Sequence, residues 1–339
     1  MRFAFDDQQL EFRSQLRALA EKQCTPADLR ASWDSELGWS LERYRALAEL
    51  GVTSVTVPVA HGGLGLGFVD LVLLLEEAGR SGLPEPLADT AAVGVPLLAS
   101  VPGDAADELR RRWLPEVAAG RVALAVAEPG APTRVAAGAE LILVHGDGRL
   151  HAIEAKDLEL VPRRSIDGSR HLLEIGALPH ATTVLAGGAA TTLWKAAADR
   201  GAWATAAVLV GVADRLVTMA AEYASAREQF GKAIGSFQAV KHHLADARIR
   251  LEFARPLVYA AAWALDEGEP DTARRVAMAK SAASDAACLA ASVALQVHGA
   301  IGYTWEHDLH LWMKRAWSLS AAWGDAGWHR SRLLGDVDW

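Results

Sequence analysis

Two pairs of histidines, one glycine-rich loop and two charged corners are the places where this sequence could do chemistry. His242 and His243 are adjacent and His307 and His310 lie three apart. Neither pair has a cysteine nearby or a helical partner at i+4, so no converging metal-ligand set is formed and no metal site is assigned. The loop His61-Gly62-Gly63-Leu64-Gly65-Leu66-Gly67 has the wrong glycine spacing for a dinucleotide fingerprint and reads as a tight turn between helices. No G-x-S-x-G elbow occurs; the nearest string, Gly79-Arg80-Ser81-Gly82, lacks the spacing, so serine hydrolase chemistry has no support.

The two corners are more specific. The first runs Arg227-Glu228-Gln229-Phe230-Gly231-Lys232-Ala233-Ile234-Gly235-Ser236-Phe237-Gln238, and the second Gln296-Val297-His298-Gly299-Ala300-Ile301-Gly302-Tyr303-Thr304-Trp305-Glu306-His307-Asp308. An arginine at a helix end beside backbone N–H groups suits a pyrophosphate, because its planar fork matches phosphate oxygens. The same residues also make ordinary interhelical corners, with glycines for the turn and charges for solvent. The residues alone leave both readings open.

These corners must be held by the elements around them. From residue 6 to about 120 the pattern is helical: Leu10, Phe12, Leu16, Leu19 and Ala20 follow an acidic start, and Ser40 caps a stretch that Gly51 ends. Phe68 to Gly79 is apolar on nearly every side and predicts a buried helix. Between about 122 and 186 the period becomes that of strands, with Leu141–Val144 and Leu150–Ile153 flanking the hairpin signal Gly146-Asp147-Gly148. Helices return over Ala189–Ser225, Phe237–Asp266 and Thr272–His298, the second with a kink expected at Pro256, and their length predicts side-by-side packing as a bundle. The expected organisation is mainly α with a small central β domain: helical 1–120, a reduced β domain 121–187, and a helical bundle 188–339.

Composition narrows the classes. A net charge of −8 over 339 residues opposes coating of nucleic acid, whose phosphates would repel it. Acids at Asp6 and Asp7 spoil a signal peptide, and no long uninterrupted apolar run stands out, so the expectation is a cytoplasmic protein with no membrane partner. Cys24 and Cys288, the only two cysteines, make no disulfide framework.

The corners resemble the signature segments of the acyl-CoA dehydrogenase family, R-x-x-F-G-x-x-I-x-x-F-Q and Q-x-x-G-G-x-G-Y-x-x-E, in the same order. Glu128-Pro129-Gly130-Ala131 resembles the family's middle-domain turn, and Gly62 to Arg80 its N-terminal domain. The resemblance implies a helical N-terminal domain, a β-barrel-like middle domain and a C-terminal four-helix bundle. It also implies FAD and oxidation of acyl-CoA thioesters at Cα–Cβ, in which a carboxylate removes the α-proton and the β-hydrogen leaves as hydride. Arg227 matches the arginine that reaches the FAD pyrophosphate of a neighbouring subunit. Phe230, Ile234, Phe237 and Gln238 match positions on the adenosine side of that FAD, and Gln296 and Gly299 match a second contacting segment, with Ala300 in place of its second glycine.

Other family positions are missing. Pro132-Thr133-Arg134 stands where the family has G-S-D, Ala127 replaces a flavin-contacting threonine, and Leu150 to Lys156 offers no aromatic to cover a flavin ring. The two alternative base positions fall on Trp323, 27 residues after Gln296, and Gly201, 26 before Arg227; neither side chain can take a proton. Asp325 is the nearest substitute. The chain thus resembles the short, non-catalytic subunit of actinobacterial α2β2 enzymes acting on steroid (cholesterol) side-chain acyl-CoA. That resemblance implies a longer catalytic partner that holds the substrate, and an electron-transfer flavoprotein or similar acceptor. The alternatives are a self-sufficient enzyme using Asp325, and a structural or regulatory homologue without flavin.

Overall fold

The computed structural model describes residues 4–130, 138–176, 178 and 183–335. Helices α1 (Asp7–Gln23), α2 (Pro26–Asp34), α3 (Leu41–Glu49) and α4 (Phe68–Arg80) open the chain. Their starts follow the capping chemistry: Asp6 and Gln9 form a reciprocal capping box on α1, and the Ser40 hydroxyl accepts from the N–H of Arg43 at the head of α3. Gly51, with φ 87°, follows α3 as expected. A π-helical turn, Ala88–Gly94, then leads into α5 (Val95–Ser100) and α6 (Asp104–Ala118).

The glycine-rich loop is a turn, and its geometry closes the phosphate-binding option. The N–H groups of Phe68 and Val69 at the start of α4 donate to the Asp266 carboxylate at 2.7 and 2.8 Å, so an acidic side chain already occupies the place an anion would take.

Strands β1 (Ala123–Ala127), β2 (Ala139–Gly146), β3 (Arg149–Glu154) and β6 (Thr183–Ala186) form one sheet in that order, and β4 (Leu160–Arg163) pairs with β5 (Leu172–Ile175) in another. The predicted hairpin is β2–β3, antiparallel, with positive φ at both Asp147 and Gly148, the turn that matches strand twist. β1 runs parallel to β2. Ile142, Val144, Ile153 and Ile175 bring the two sheets onto one small apolar core.

Helices α7 (Gly188–Ala226), α8 (Gln238–Glu267), α9 (Thr272–His298), α10 (Leu309–Ala321) and α11 (Ala326–Leu334) make the bundle, and α8 continues through Pro256 as one helix. Between α7 and α8 lies the short ladder β7 (Glu228–Gln229) and β8 (Lys232–Ala233). α4 crosses α7 at bare backbone: a Cβ on Gly211 would lie 1.8 Å from the Glu76 carbonyl oxygen, and one on Gly79 2.0 Å from that of Val208. As expected, the sequence has no unbroken run of about 18 apolar residues. α7 and the stretch Thr272–Tyr303 are each long and apolar enough, by length and composition, to cross a bilayer. The most apolar window of α7 is 78% buried inside the fold, packed on α4 and α9.

A surface corner and an aromatic cavity

The two corners meet at one end of the bundle. Tyr223, in the last turn of α7, stacks on His298, in the last turn of α9, with ring centroids 4.3 Å apart. Arg227 follows α7 directly, and its backbone carbonyl accepts from the N–H of Ile234 at 2.8 Å, closing the β7–β8 hairpin. Phe230 and Gly231 form that hairpin's turn, both at positive φ, which leaves Phe230 91% exposed. A left-handed phenylalanine is strained by about 1–3 kcal/mol, so the fold holds this ring outward against its backbone preference. Phe237 packs edge-on against it at 6.1 Å, with Lys232 Nζ 4.4 Å above the Phe237 ring.

The chemistry of this corner suits an anion bound from outside. α8 begins at Gln238 with no side chain capping its free N–H groups, and Arg227 is exposed beside it. Gln296 and Gly299 are exposed at the end of α9, and Gly299 takes φ 61° and ψ −138°, a conformation for glycine alone. Arg227, Phe230, Gln238, Gln296 and Gly299 all face outward, while Ile234 and Phe237 are half-buried beneath them. Such a surface fits the pyrophosphate and adenosine of an FAD held mainly elsewhere.

The two positions that the resemblance gives to a base, 323 and 201, share one spot. Trp323 lies in the joint after α10 and Gly201 on α7, and the indole rests against the glycine: a Cβ at 201 would sit 2.4 Å from Trp323 Cε2 and 2.6 Å from Cδ2. Trp323 has φ 55°, a conformation bulky residues rarely adopt. Two buried side chains fix it there. His329 Nε2 lies 2.8 Å from the Trp323 carbonyl oxygen, and Lys280 Nζ donates to the carbonyls of Gly324 (2.8 Å) and Ser320 (2.9 Å) and to Ser284 Oγ (3.0 Å). Burial pulls the Lys280 ammonium down to about 7 and holds His329 down at about 4, the latter against the hydrogen bond to Trp323. The proton of His329 therefore belongs on Nε2, pointing at that carbonyl.

Trp323 also forms one wall of a cavity of about 600 Å³ between α7, α10, β1 and the segment before β5. Trp194 and Trp317 are the other indoles on its walls. Its position is set from several sides. Arg315 on α10 donates to the carbonyls of Gly82 and Leu83, Trp312 Nε1 to that of Arg80, and Thr90 Oγ1 to that of Leu124 in β1. Glu128, from the turn that resembles the family's middle-domain segment, is on these walls; sequence reasoning missed Asp89 and Arg170 there, because they lie on two separate segments with no shared spacing.

An FAD of this chain's own is a poor match to that cavity. Ala127 presents no hydroxyl there and β3 contributes no aromatic to the lining, whose charged residues are Asp89, Glu128 and Arg170. Along β3, Leu150 and Ile153 are turned into the core and Glu154 is paired with Arg112 at 2.7 Å. Pro132-Thr133-Arg134 lies outside the described residues. Asp325 does not line the cavity; it is exposed, and its carboxylate caps α11 by accepting from the N–H of Trp328 at 2.8 Å. Of the histidines, His307 Nδ1 accepts from the N–H of Leu309 and His310 stacks on Trp305, and no group of three or more metal-ligand side chains converges among the described residues.

A helical N-terminal domain, a small β insert and a C-terminal helical bundle make the acyl-CoA dehydrogenase architecture. The chain belongs to the acyl-CoA dehydrogenase family: residues 6–121 match its N-terminal domain and residues 190–334 its C-terminal domain. It is 32% identical to the acyl-CoA dehydrogenase IpdE2 of Mycolicibacterium smegmatis, over 90% of each chain. Among solved structures it is similar to the Tcur3481–Tcur3483 steroid ACAD, with a TM-score of 0.87 and 28% identity over 97% of both chains. The ChsE4–ChsE5 complex from Mycobacterium tuberculosis shares the fold, with a TM-score of 0.87 and 23% identity over the full length of both chains.

Proposed function

We propose that this chain is the base-less subunit of a hetero-oligomeric, FAD-dependent acyl-CoA dehydrogenase. A longer family member would hold the flavin and the acyl-CoA, and this chain would complete that FAD site from across the interface. The observation that carries the reading is the indole of Trp323 seated on Gly201, which fills both family base positions with groups that accept no proton. Asp325 does not restore the base, since its carboxylate is engaged at the head of α11 on the surface. The exposed corner supports the trans role: Arg227 would pair with the pyrophosphate, the first N–H groups of α8 would face the same charge, and Phe230 and Phe237 would flank the adenosine.

The flavin, when bound, supplies the hydride acceptor for Cα–Cβ oxidation; this chain's part is to bind and orient its distal half. A steroid side-chain acyl-CoA is the substrate class favoured, on the likeness to a protein described as a steroid ACAD. An electron-transfer flavoprotein or similar carrier would reoxidise the complex. The test is expression of the chain alone and together with a longer homologue that retains its glutamate base. The lone chain should be flavin-poor and inactive, and the pair yellow and active; a homo-oligomer of this chain with full flavin and normal turnover overturns the proposal.

A further inference from the structure

A second cavity, of about 270 Å³, lies between α1, α4, α7 and α8 and shares no lining residue with the one beside Trp323. Four of its lining residues are arginines and three are carboxylates. The carboxylates are already engaged. Glu77 accepts from Arg17 Nε and Nη2 at 3.0 and 2.6 Å and lies 3.8 Å from Arg80 Nη1. Glu76 accepts from Arg255 Nε at 2.9 Å and from the Tyr259 hydroxyl at 2.6 Å. Asp214 accepts from Arg80 Nε at 3.2 Å and from Arg248 Nη1 at 2.8 Å. Arg248 and Glu252, which are not part of the lining, pair with each other at 2.8 Å and leave the balance unchanged.

Arg13 is the cation left over. It is half-buried on α1, and among the described residues it makes no hydrogen bond or ion pair. It lines the cavity close enough for its charge to act on the Tyr259 phenol. Arg17 stands one helical turn further on, with Nη1 unused among the described residues. Like charges at that spacing repel each other, and an anion shared between them turns the repulsion into two attractive contacts. The guanidinium fork matches the oxygens of phosphate or sulfate. An organic ligand fits less well, because the volume lies just below the ~300–1,000 Å³ of small-molecule pockets and no lining side chain except the Tyr259 ring is apolar.

We infer that this cavity is a binding site for one free inorganic oxyanion of the phosphate class, held between Arg13 and Arg17. The bound ion ties α1, in which only Leu16 and Ala20 are buried, to α4 and α8. No residue of the site belongs to the arrangement at Trp323 or to the corner at Arg227, so the inference stands or falls independently of the proposed function. The probe is inorganic phosphate, titrated calorimetrically into the purified full-length chain at constant ionic strength in a buffer without other oxyanions. One phosphate should bind saturably per chain and raise its melting temperature; sulfate should displace it, and chloride at the same ionic strength should not. Arg13→Gln should weaken binding by about tenfold or more. Its melt without phosphate should stay close to that of the parent, since Arg13 gives up no ion pair. Arg111→Gln, which removes an exposed arginine of α6 outside the cavity, should bind as the parent does. Adenosine 5′-monophosphate should compete no better than phosphate itself. The inference is overturned by absence of saturation, by a folded Arg13→Gln chain that binds as the parent does, by equal weakening in Arg111→Gln, or by tighter binding of the nucleotide than of the free ion.

Discussion

At position 201 even a methyl group collides with a neighbour, and that neighbour is the residue standing at the other base position. The two losses are therefore one packing arrangement: the indole of Trp323 needs a glycine beneath it, and a glycine there would leave a gap without the indole. Gly201→Ala should destabilise the chain by about 1–3 kcal/mol through overpacking, and the same substitution should cost little once Trp323→Ala has removed the ring. A double-mutant cycle read by chemical denaturation checks this; additive effects would show that the contact carries no strain. Trp323→Glu places a carboxylate at a position the resemblance gives to the base, but Ala127 still presents no hydroxyl and β3 no aromatic to the cavity. No dehydrogenation is expected from that variant alone, and a turnover assay with flavin supplied decides it. Arg227 acts at the other site. In the complex, Arg227→Ala removes a charge-assisted contact of about 1.5–3 kcal/mol, so flavin should dissociate on the order of ten- to a hundredfold more readily; unchanged flavin retention would remove Arg227 from its assigned role.

Among the elements, the joint between α10 and α11 is where sequence and structure differ most in what they reveal. The long helices were legible: Ala189–Ser225, Phe237–Asp266 and Thr272–His298 are observed as Gly188–Ala226, Gln238–Glu267 and Thr272–His298. So was the β2–β3 hairpin, because Asp-Gly dictates its own backbone. These are local signals, written within a few residues. The left-handed Trp323 is not local. It is imposed by His329 six residues on and by Lys280 forty-three residues back, and nothing in the string Ala322-Trp323-Gly324 announces it. The parallel pairing of β1 with β2 and the π-helical turn at Ala88–Gly94 escaped for the same reason. Because His329 is fully buried and its carbonyl partner fixes the neutral tautomer, this joint should be acid-sensitive. The folded chain keeps His329 neutral down to about 4, whereas the unfolded chain protonates it near 6.5, so between those values the unfolded state binds more protons. Stability should fall by up to about 3 kcal/mol as pH drops through that window, and His329→Gln should flatten the slope in pH-dependent melts.

For the whole molecule, the two functional surfaces point in different directions and make different demands on a partner. The corner proposed to meet a flavin presents N–H groups without a side-chain cap, an exposed arginine, the exposed Phe230 ring and the half-buried Phe237 beneath it. The cavity opens to solvent beside Ile166 and Trp317, and neither Gly201 nor Trp323, the positions the resemblance gives to a base, can take a proton. A self-sufficient enzyme needs both functions in one copy or exchanged between identical copies, and two identical copies of this chain would exchange a good corner for a cavity without its flavin contacts. In the proposed assembly with an unlike subunit, the partner's cavity would use this chain's corner and this chain's cavity would do no chemistry. The count of bound flavin then follows from geometry. An assembly with equal numbers of the two chains should carry one FAD for each pair, not one for each chain. Flavin absorbance against protein mass in the purified complex measures that ratio directly. Two flavins per pair would mean that the cavity beside Trp323 accepts the cofactor after all, and the division of labour argued from Gly201 and Trp323 would have to be abandoned.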